Sequence, residues 1–310
     1  MPLRALSAAL VLAVASSPAT AGDVVGYSEA FDTLFQVNLT AHTAVELGPA
    51  GYLNGQRIAD VEGLSYAPNG DLYAVTDDLK GLLRISAENG RATYIGSLNL
   101  VNEPLTKSLD LGMTITCDGR FFLSAGDGNF WEVDPNTGSA AFIGNTGVKI
   151  TGLAARGKRV YAAGSQGNNN LYLIDTQTAA ASLLGAYNTS TYVTTVSPGF
   201  DATGKLWGVL NYVPPQPGST TIPPWSDLAT LDAQNGALRN TGSIVGPIDL
   251  KTQFFGELKG LALVPPSCDA GGVIADATPA LSPQALGLFA GLMALFGAVG
   301  TRLRRRRQTR

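Results

Sequence analysis

Two short units alternate along most of this chain, and their near-regular return narrows what the chain can fold into. One unit opens with a Leu/aromatic pair on an apolar strand, passes a polar turn and closes on glycine. It runs from Leu34-Phe35-Gln36-Val37 to Gly48, from Leu82-Leu83-Arg84-Ile85 to Gly96, and from Phe130-Trp131-Glu132-Val133 to Gly144. It returns from Leu171-Tyr172-Leu173-Ile174 to Gly185 and from Leu228-Ala229-Thr230-Leu231 to Gly242. The closing glycines are 48, 48, 41 and 57 residues apart. The second unit starts with glycine and an apolar residue, then a turn and another strand. Gly63-Leu64 leads to Leu72-Tyr73-Ala74-Val75, Gly112-Met113 to Phe121-Phe122-Leu123, Gly152-Leu153 to Val160-Tyr161-Ala162, and Gly199-Phe200 to Leu206-Trp207-Gly208-Val209. A fifth start, Gly260-Leu261-Ala262-Leu263, has no second strand after it.

Alternating apolar residues bounded by Gly, Asn and Asp are strand and hairpin signals. Four strands about every 45 residues is the signature of an all-β β-propeller, each blade a small sheet. The orphan start at Gly260 fits as the inner strand of a blade whose other strands come from Val24 to Leu47. That one-plus-three closure predicts five four-stranded blades. The alternative is six, because the stretch from Tyr187 to Ser226 has room for another hairpin. A β-sandwich would not need five-fold periodicity. Gly63, Gly112, Gly152, Gly199 and Gly260 are expected where inner strands crowd at the axis. Tyr73, Phe122, Tyr161 and Trp207 are expected to pack between blades.

Both ends of the chain carry address signals. Met1 to Arg4 is a short basic start, Ala5 to Ala15 an apolar region, and Ala19-Thr20-Ala21 a small-residue cleavage site. Cleavage there would leave Gly22 first; an uncleaved N-terminal anchor is the alternative. At the far end an apolar run, Ala285 to Gly300, stops at Arg302, Arg304, Arg305, Arg306 and Arg307. That pattern predicts a membrane span over 284–303 with its arginines on the cytoplasmic side. Just before it stands Thr278-Pro279-Ala280-Leu281-Ser282-Pro283. Motif, span and arginines resemble the bacterial C-terminal sorting signals of the PEP-CTERM kind, most of all the variant reading Ile-Pro-Thr-Leu-Ser-x-Trp-Gly. The chain matches it at Pro279, Leu281 and Ser282, and departs from it at Thr278, Ala280, Gln284 and Ala285. The resemblance covers about thirty residues and implies a Gram-negative envelope protein whose tail is a substrate for a membrane-embedded sorting peptidase. The expected organisation is a signal peptide over 1–21, a propeller over 22–266, a linker with the sorting motif over 267–283, the span over 284–303 and an arginine-rich end over 304–310.

Setting the two signals aside changes the charge. The whole chain has 21 basic and 24 acidic residues. One arginine lies in the leader and six in the tail, leaving 14 basic against 24 acidic, about −10 for the part between. Nucleic acid is a poor partner for that surface; cations, neutral glycans or proteins suit it better. The two cysteines, Cys117 and Cys268, form no C-x-x-C pair. In an oxidising compartment they can form one disulfide, which would staple the chain's end to the second repeat; two separate buried thiols are the alternative.

The inner strand of a propeller blade runs away from the face where function usually gathers. On that face the loops entering each blade bring Glu62, Asp110, Thr151, Glu257 and Lys259 to the channel mouth. The loops between second and third strands bring Asp77, Asp78, Asp127, Asn129, Gln166 and Asn211. Carboxylates converging from several blades can hold a hard cation such as Ca2+, with Glu62, Asp110 and Asp127 the expected ligands. Solvated turn residues are the competing explanation. The single histidine, His42, falls in an outer turn, so Ser-His-Asp chemistry and histidine-rich metal sites are not supported. Nor is there a G-x-S-x-G or a P-loop. The function expected is a binding or scaffold module of the cell surface. The alternative is a calcium- or carboxylate-dependent glycosidase or lactonase using Glu62 with Asp110 or Glu257. Pro214 to Trp225 is the one long proline-rich insertion, expected as an extended loop beside Tyr212.

Overall fold

The computed structural model describes residues 25–30, 32–50, 52–53, 56–101, 103, 109–189, 193–212, 226–243 and 258–268. The expected leader, the Pro214–Trp225 insertion, Glu257, the expected sorting motif and the expected span over 284–303 lie outside the described residues. No helix among the described residues is long and apolar enough to cross a membrane.

The chain begins with β1 (Val25–Ala30), β2 (Thr33–Asn38) and β3 (Thr43–Pro49), followed by a small hairpin of β4 (Tyr52–Leu53) and β5 (Gln56–Arg57). The second blade is β6 (Val61–Tyr66), β7 (Leu72–Thr76), β8 (Gly81–Ile85) and β9 (Ala92–Ser97). The third is β10 (Gly112–Ile115), β11 (Phe121–Ser124), β12 (Asn129–Val133) and β13 (Ala140–Asn145). The fourth is β14 (Ile150–Arg156), β15 (Arg159–Gly164), β16 (Asn170–Ile174) and β17 (Ala181–Ala186). The fifth is β18 (Val193–Phe200), β19 (Leu206–Tyr212), β20 (Ser226–Leu231) and β21 (Leu238–Ser243). The last strand, β22 (Lys259–Ala262), pairs antiparallel with β1 and completes a sheet of order β22-β1-β2-β3. The described residues therefore form an all-β, five-bladed propeller with one-plus-three closure. The stretch from Tyr187 to Ser226 supplies β18 and β19 rather than a sixth blade.

Inner strands pack in a ring, β22 on β6, then β10, β14, β18 and back to β22. Glycine makes that approach possible. A Cβ on Gly112 would run into the Thr151 carbonyl, one on Gly152 into the Val196 carbonyl, and one on Gly260 into the backbone of Leu64. Gly63 and Gly199 meet Met113 and Leu261 in the same way, so each of the five faces the next blade's inner strand. β10 and β11 are buried throughout, while the outermost β13 is buried only at its first residue and otherwise half-buried or exposed. This is the pattern of a sheet buried at the axis and solvated at the rim.

The core is five wedges, one between each pair of adjacent blades. The expected aromatics fill them. Tyr73 of the second blade meets Phe121 of the third edge-on at 4.9 Å, and Tyr161 of the fourth meets Phe200 of the fifth at 5.0 Å. Phe122 lies in the wedge between the third and fourth blades, Trp207 in the one between the fifth and closing blades. Such edge-to-face contacts add specificity to the burial they accompany.

A second ring runs outside the first. In every blade the register between third and fourth strands slips by one residue just after the recurring pair begins: Leu34/Phe35, Leu82/Leu83, Phe130/Trp131, Leu171/Tyr172 and Leu228/Ala229. The closing glycine pairs with the first member, and the bulge bends the outer strand there. Gly48, Gly96 and Gly185 then sit on the outer turn of the next blade, at Asn89, Thr137 and Asn235.

β22 begins at the channel mouth with Lys259 and leads to the opposite face, where the chain continues as a strap over 263–268. Cys268 is joined to Cys117, in the first turn of the third blade, by a disulfide with Cα atoms 5.1 Å apart. Hydrogen bonds hold β22 from both sides. Ser28 Oγ donates to the Gly260 carbonyl (2.7 Å), and the Gly260 amide donates to Ser197 Oγ (3.0 Å). Asn211 Nδ2 donates to the Leu258 carbonyl (3.0 Å) and to Thr195 Oγ1 (2.8 Å).

Candidate functional site at the channel mouth

Each inner strand, or the loop entering it, delivers a polar side chain to one end of the axis. Glu62, Asp110, Thr151, Thr195, Ser197 and Lys259 line a cavity of about 30 Å3 there, floored by Gly63, Gly112, Gly152 and Gly260. Space of that size takes a water or two, not a sugar ring.

Glu62 is the centre of this arrangement. It is buried, and one carboxylate oxygen accepts from the Lys259 ammonium at 2.5 Å while the other accepts from the Leu111 amide at 2.5 Å. Burial pushes its pKa up to about 7, against the pull of Lys259 and the Leu111 amide. Lys259 also reaches Asp60, at 3.5 Å. Its burial favours the neutral amine, but Glu62, Asp60 and Glu29 outweigh that and hold its pKa above the ordinary lysine value. The cation therefore persists at neutral pH while Glu62 sits near its titration point.

Asp77 does similar structural duty one layer out. Its carboxylate pairs with buried Lys80 (2.6 Å) and accepts from the Leu109 amide (2.9 Å). Asp77 and Glu62 thus fix the backbone on either side of Asp110, which adopts a left-handed φ of 50°. Held this way, Asp110 accepts from Gln166 Nε2 (3.1 Å) on the fourth blade's loop. Thr151 Oγ1 is buried at the mouth with no hydrogen-bond partner among the described residues.

The other expected residues are elsewhere. Asp78 is exposed and accepts a long bond from the Ala59 amide (3.4 Å). Asp127 and Asn129 bond to one another on the third blade's turn, where Asn129 Nδ2 also donates to Glu103 (2.6 Å). Asp127 does not line the cavity that Glu62 and Asp110 share. Among the described residues no group of three or more His, Cys, Asp or Glu is placed to hold a metal. Of the expected Ca2+ ligands, Glu62 and Asp110 share the mouth while Asp127 stands apart from them, and Glu62 is bonded to Lys259. Glu257 lies outside the described residues.

Sequence reasoning missed Glu29. It is buried on β1, cross-strand from Lys259, with its pKa raised well above the carboxylate range by burial and further by Asp32. The available signal was an acidic residue facing the predicted closing strand, but nothing in the alternation of Val25–Ala30 fixes the register of that pairing.

The fold and mouth define a five-bladed β-propeller with a polar, charge-compensated axis. No family model matches the chain, and no curated protein matches it. Among solved structures it is similar to a protein of unknown function from Bacteroides thetaiotaomicron, at 15% identity and a TM-score of 0.45 over 60% of this chain. The chain spans about half of that protein's length, 53%. It is also similar to a gluconolactonase from Xanthomonas campestris (14% identity, TM-score 0.43, 72% of this chain and 80% of that one). A virginiamycin B lyase from Staphylococcus aureus aligns at 12% identity and a TM-score of 0.41, over 72% of this chain and 85% of that one. Likeness at this level carries no function, and the propeller assignment rests on the chain's own strand order.

Proposed function

We propose that this chain is an exported propeller, held or sorted at the cell envelope by its tail, that works as a binding module with the channel mouth as its contact point. One observation carries the reading: the mouth's central carboxylate is already satisfied by Lys259 and the Leu111 amide, above a cavity too small for a substrate ring. What remains open to a ligand is the half-buried carboxylate of Asp110, in the same lining as the buried Thr151. Those groups suit a hydroxyl- or amine-bearing group presented end-on, such as a glycan terminus or a protein side chain. Binding of the full-length protein to an array of bacterial surface glycans tests this. D110N is expected to weaken a bound glycan about tenfold, and undiminished binding by that variant contradicts the assignment. The address is tested by fractionation: full-length protein is expected with membranes or at the surface, and a chain ending at Ala277 released. Equal partitioning of the two contradicts it.

A second reading, a carboxylate-dependent hydrolase, draws on the Glu62 pKa of about 7, where a general acid is effective. It requires Glu62 to leave Lys259 as substrate enters.

A further inference from the structure

The face opposite the mouth holds a larger cavity, about 200 Å3, that the binding reading does not use. It lies between the first turns of the fourth and fifth blades and is covered by the strap that ends at Cys268. Its wall is mainly apolar, from Ala155, Phe200, Val264, Pro265 and Pro266. Arg156 is the one cation among the lining residues. Its guanidinium rests against Gly204, where a Cβ would come within 2.5 Å of it, and stands 5.9 Å from the Phe200 ring centroid. No carboxylate among the described residues pairs with it. The one acid in the wall, Asp201, is fully engaged. Oδ1 accepts from the Thr203 amide and hydroxyl and the Lys205 amide, and Oδ2 from Trp207 Nε1 (2.8 Å). Burial opposes its ionisation, yet those bonds hold its pKa below the ordinary value.

A half-buried guanidinium without a counter-charge, set in an apolar wall, is suited to a carboxylate attached to an apolar body. Volume limits that body, since an apolar cavity of about 150 Å3 accommodates benzene. We infer that this cleft is a second ligand site, independent of the mouth, for a small organic acid with an apolar body of about one ring. Arg156 takes the carboxylate, while Phe200 and the strap residues Val264 to Pro266 cover the ring. Because the strap is one wall and the Cys117–Cys268 bond fixes its end, the site is complete only in the oxidised protein.

Equilibrium dialysis of the oxidised full-length protein with labelled phenylacetate, and with its neutral isostere phenylacetamide, tests the assignment. Saturable one-to-one binding of the acid is expected, at least tenfold tighter than the amide. R156Q is expected to lose at least tenfold, R156K to fall between, and reduction of the disulfide to weaken binding several-fold. Melting curves of the variants separate lost binding from lost fold, and R156K serves if R156Q does not fold. Absence of saturable binding at millimolar acid, equal binding of acid and amide, or binding by folded R156Q equal to the parent overturns the proposal.

Discussion

His42 shows how a chemically suggestive residue acquires a plain structural role. It occupies a left-handed position (φ 57°) in the closing blade's outer turn, where the other blades have Gly90, Gly138, Ala179 and Gly236 at φ of 72°, 78°, 63° and 73°. Its imidazole lies against Gly242 of the fifth blade, the contact that outer turns make around the ring. Replacing His42 with glycine exchanges left-handed strain for chain entropy, so calorimetry should find stability within about 1 kcal/mol of the parent. A loss above about 2 kcal/mol would give the imidazole a role of its own. Glu62 makes the opposite prediction. Its folded pKa is raised to about 7 from a reference of 4.5, so the folded state holds the proton more tightly. Its contribution to stability is then fully present below about pH 4.5 and lost as pH rises through 7. The difference in unfolding free energy between the parent and E62Q should fall by about 3 kcal/mol across that window. A flat difference would show that Glu62 is ionised throughout. Asp110 and Glu62 were legible as mouth residues because both stand at the start of an inner strand. Their division of labour was not, because the pairing with Lys259 spans 197 residues of sequence.

At the scale of the element, the repeat revealed the number of strands and their order, down to the closing role of Gly260. It did not reveal the bulges. Period-two alternation tells which residues share a face, but one extra residue next to a closing glycine reads as an ordinary strand end. Ile95 and Ile143, for example, simply continue the outer-strand pattern in the sequence, yet both are the unpaired residue of a bulge. The inner-ring glycines are the clearest test of the packing. Gly152→Ala places a methyl on the Val196 carbonyl and 2.5 Å from Pro198 Cδ, so one inner strand must move. Thermal or denaturant unfolding should report a loss of about 3 kcal/mol, at the upper end of ordinary overpacking. A loss below about 0.5 kcal/mol would mean that the inner strands are further apart than described.

For the whole molecule, the closing strand and its strap are secured twice, by hydrogen bonds along β22 and by the disulfide that spans 151 residues. The bond closes three strands of the third blade, the whole fourth and fifth blades and β22 into one loop. C117S/C268S should therefore be destabilised by about 3 kcal/mol, measured by urea unfolding under oxidising conditions. An unchanged midpoint would mean that the hydrogen bonds of β22 alone hold the ring shut. The cysteine pairing was open in the sequence because neither residue lies near the other until the ring closes and β22 exits on the third blade's side.

The proposed function requires the channel mouth to be a binding surface rather than an acid–base centre. Turnover of sugar lactones and aryl glycosides by the full-length protein and by E62Q, at pH 7 with and without Ca2+, measures this most directly. The prediction is no turnover above buffer by either protein; turnover by the parent that E62Q abolishes would contradict it.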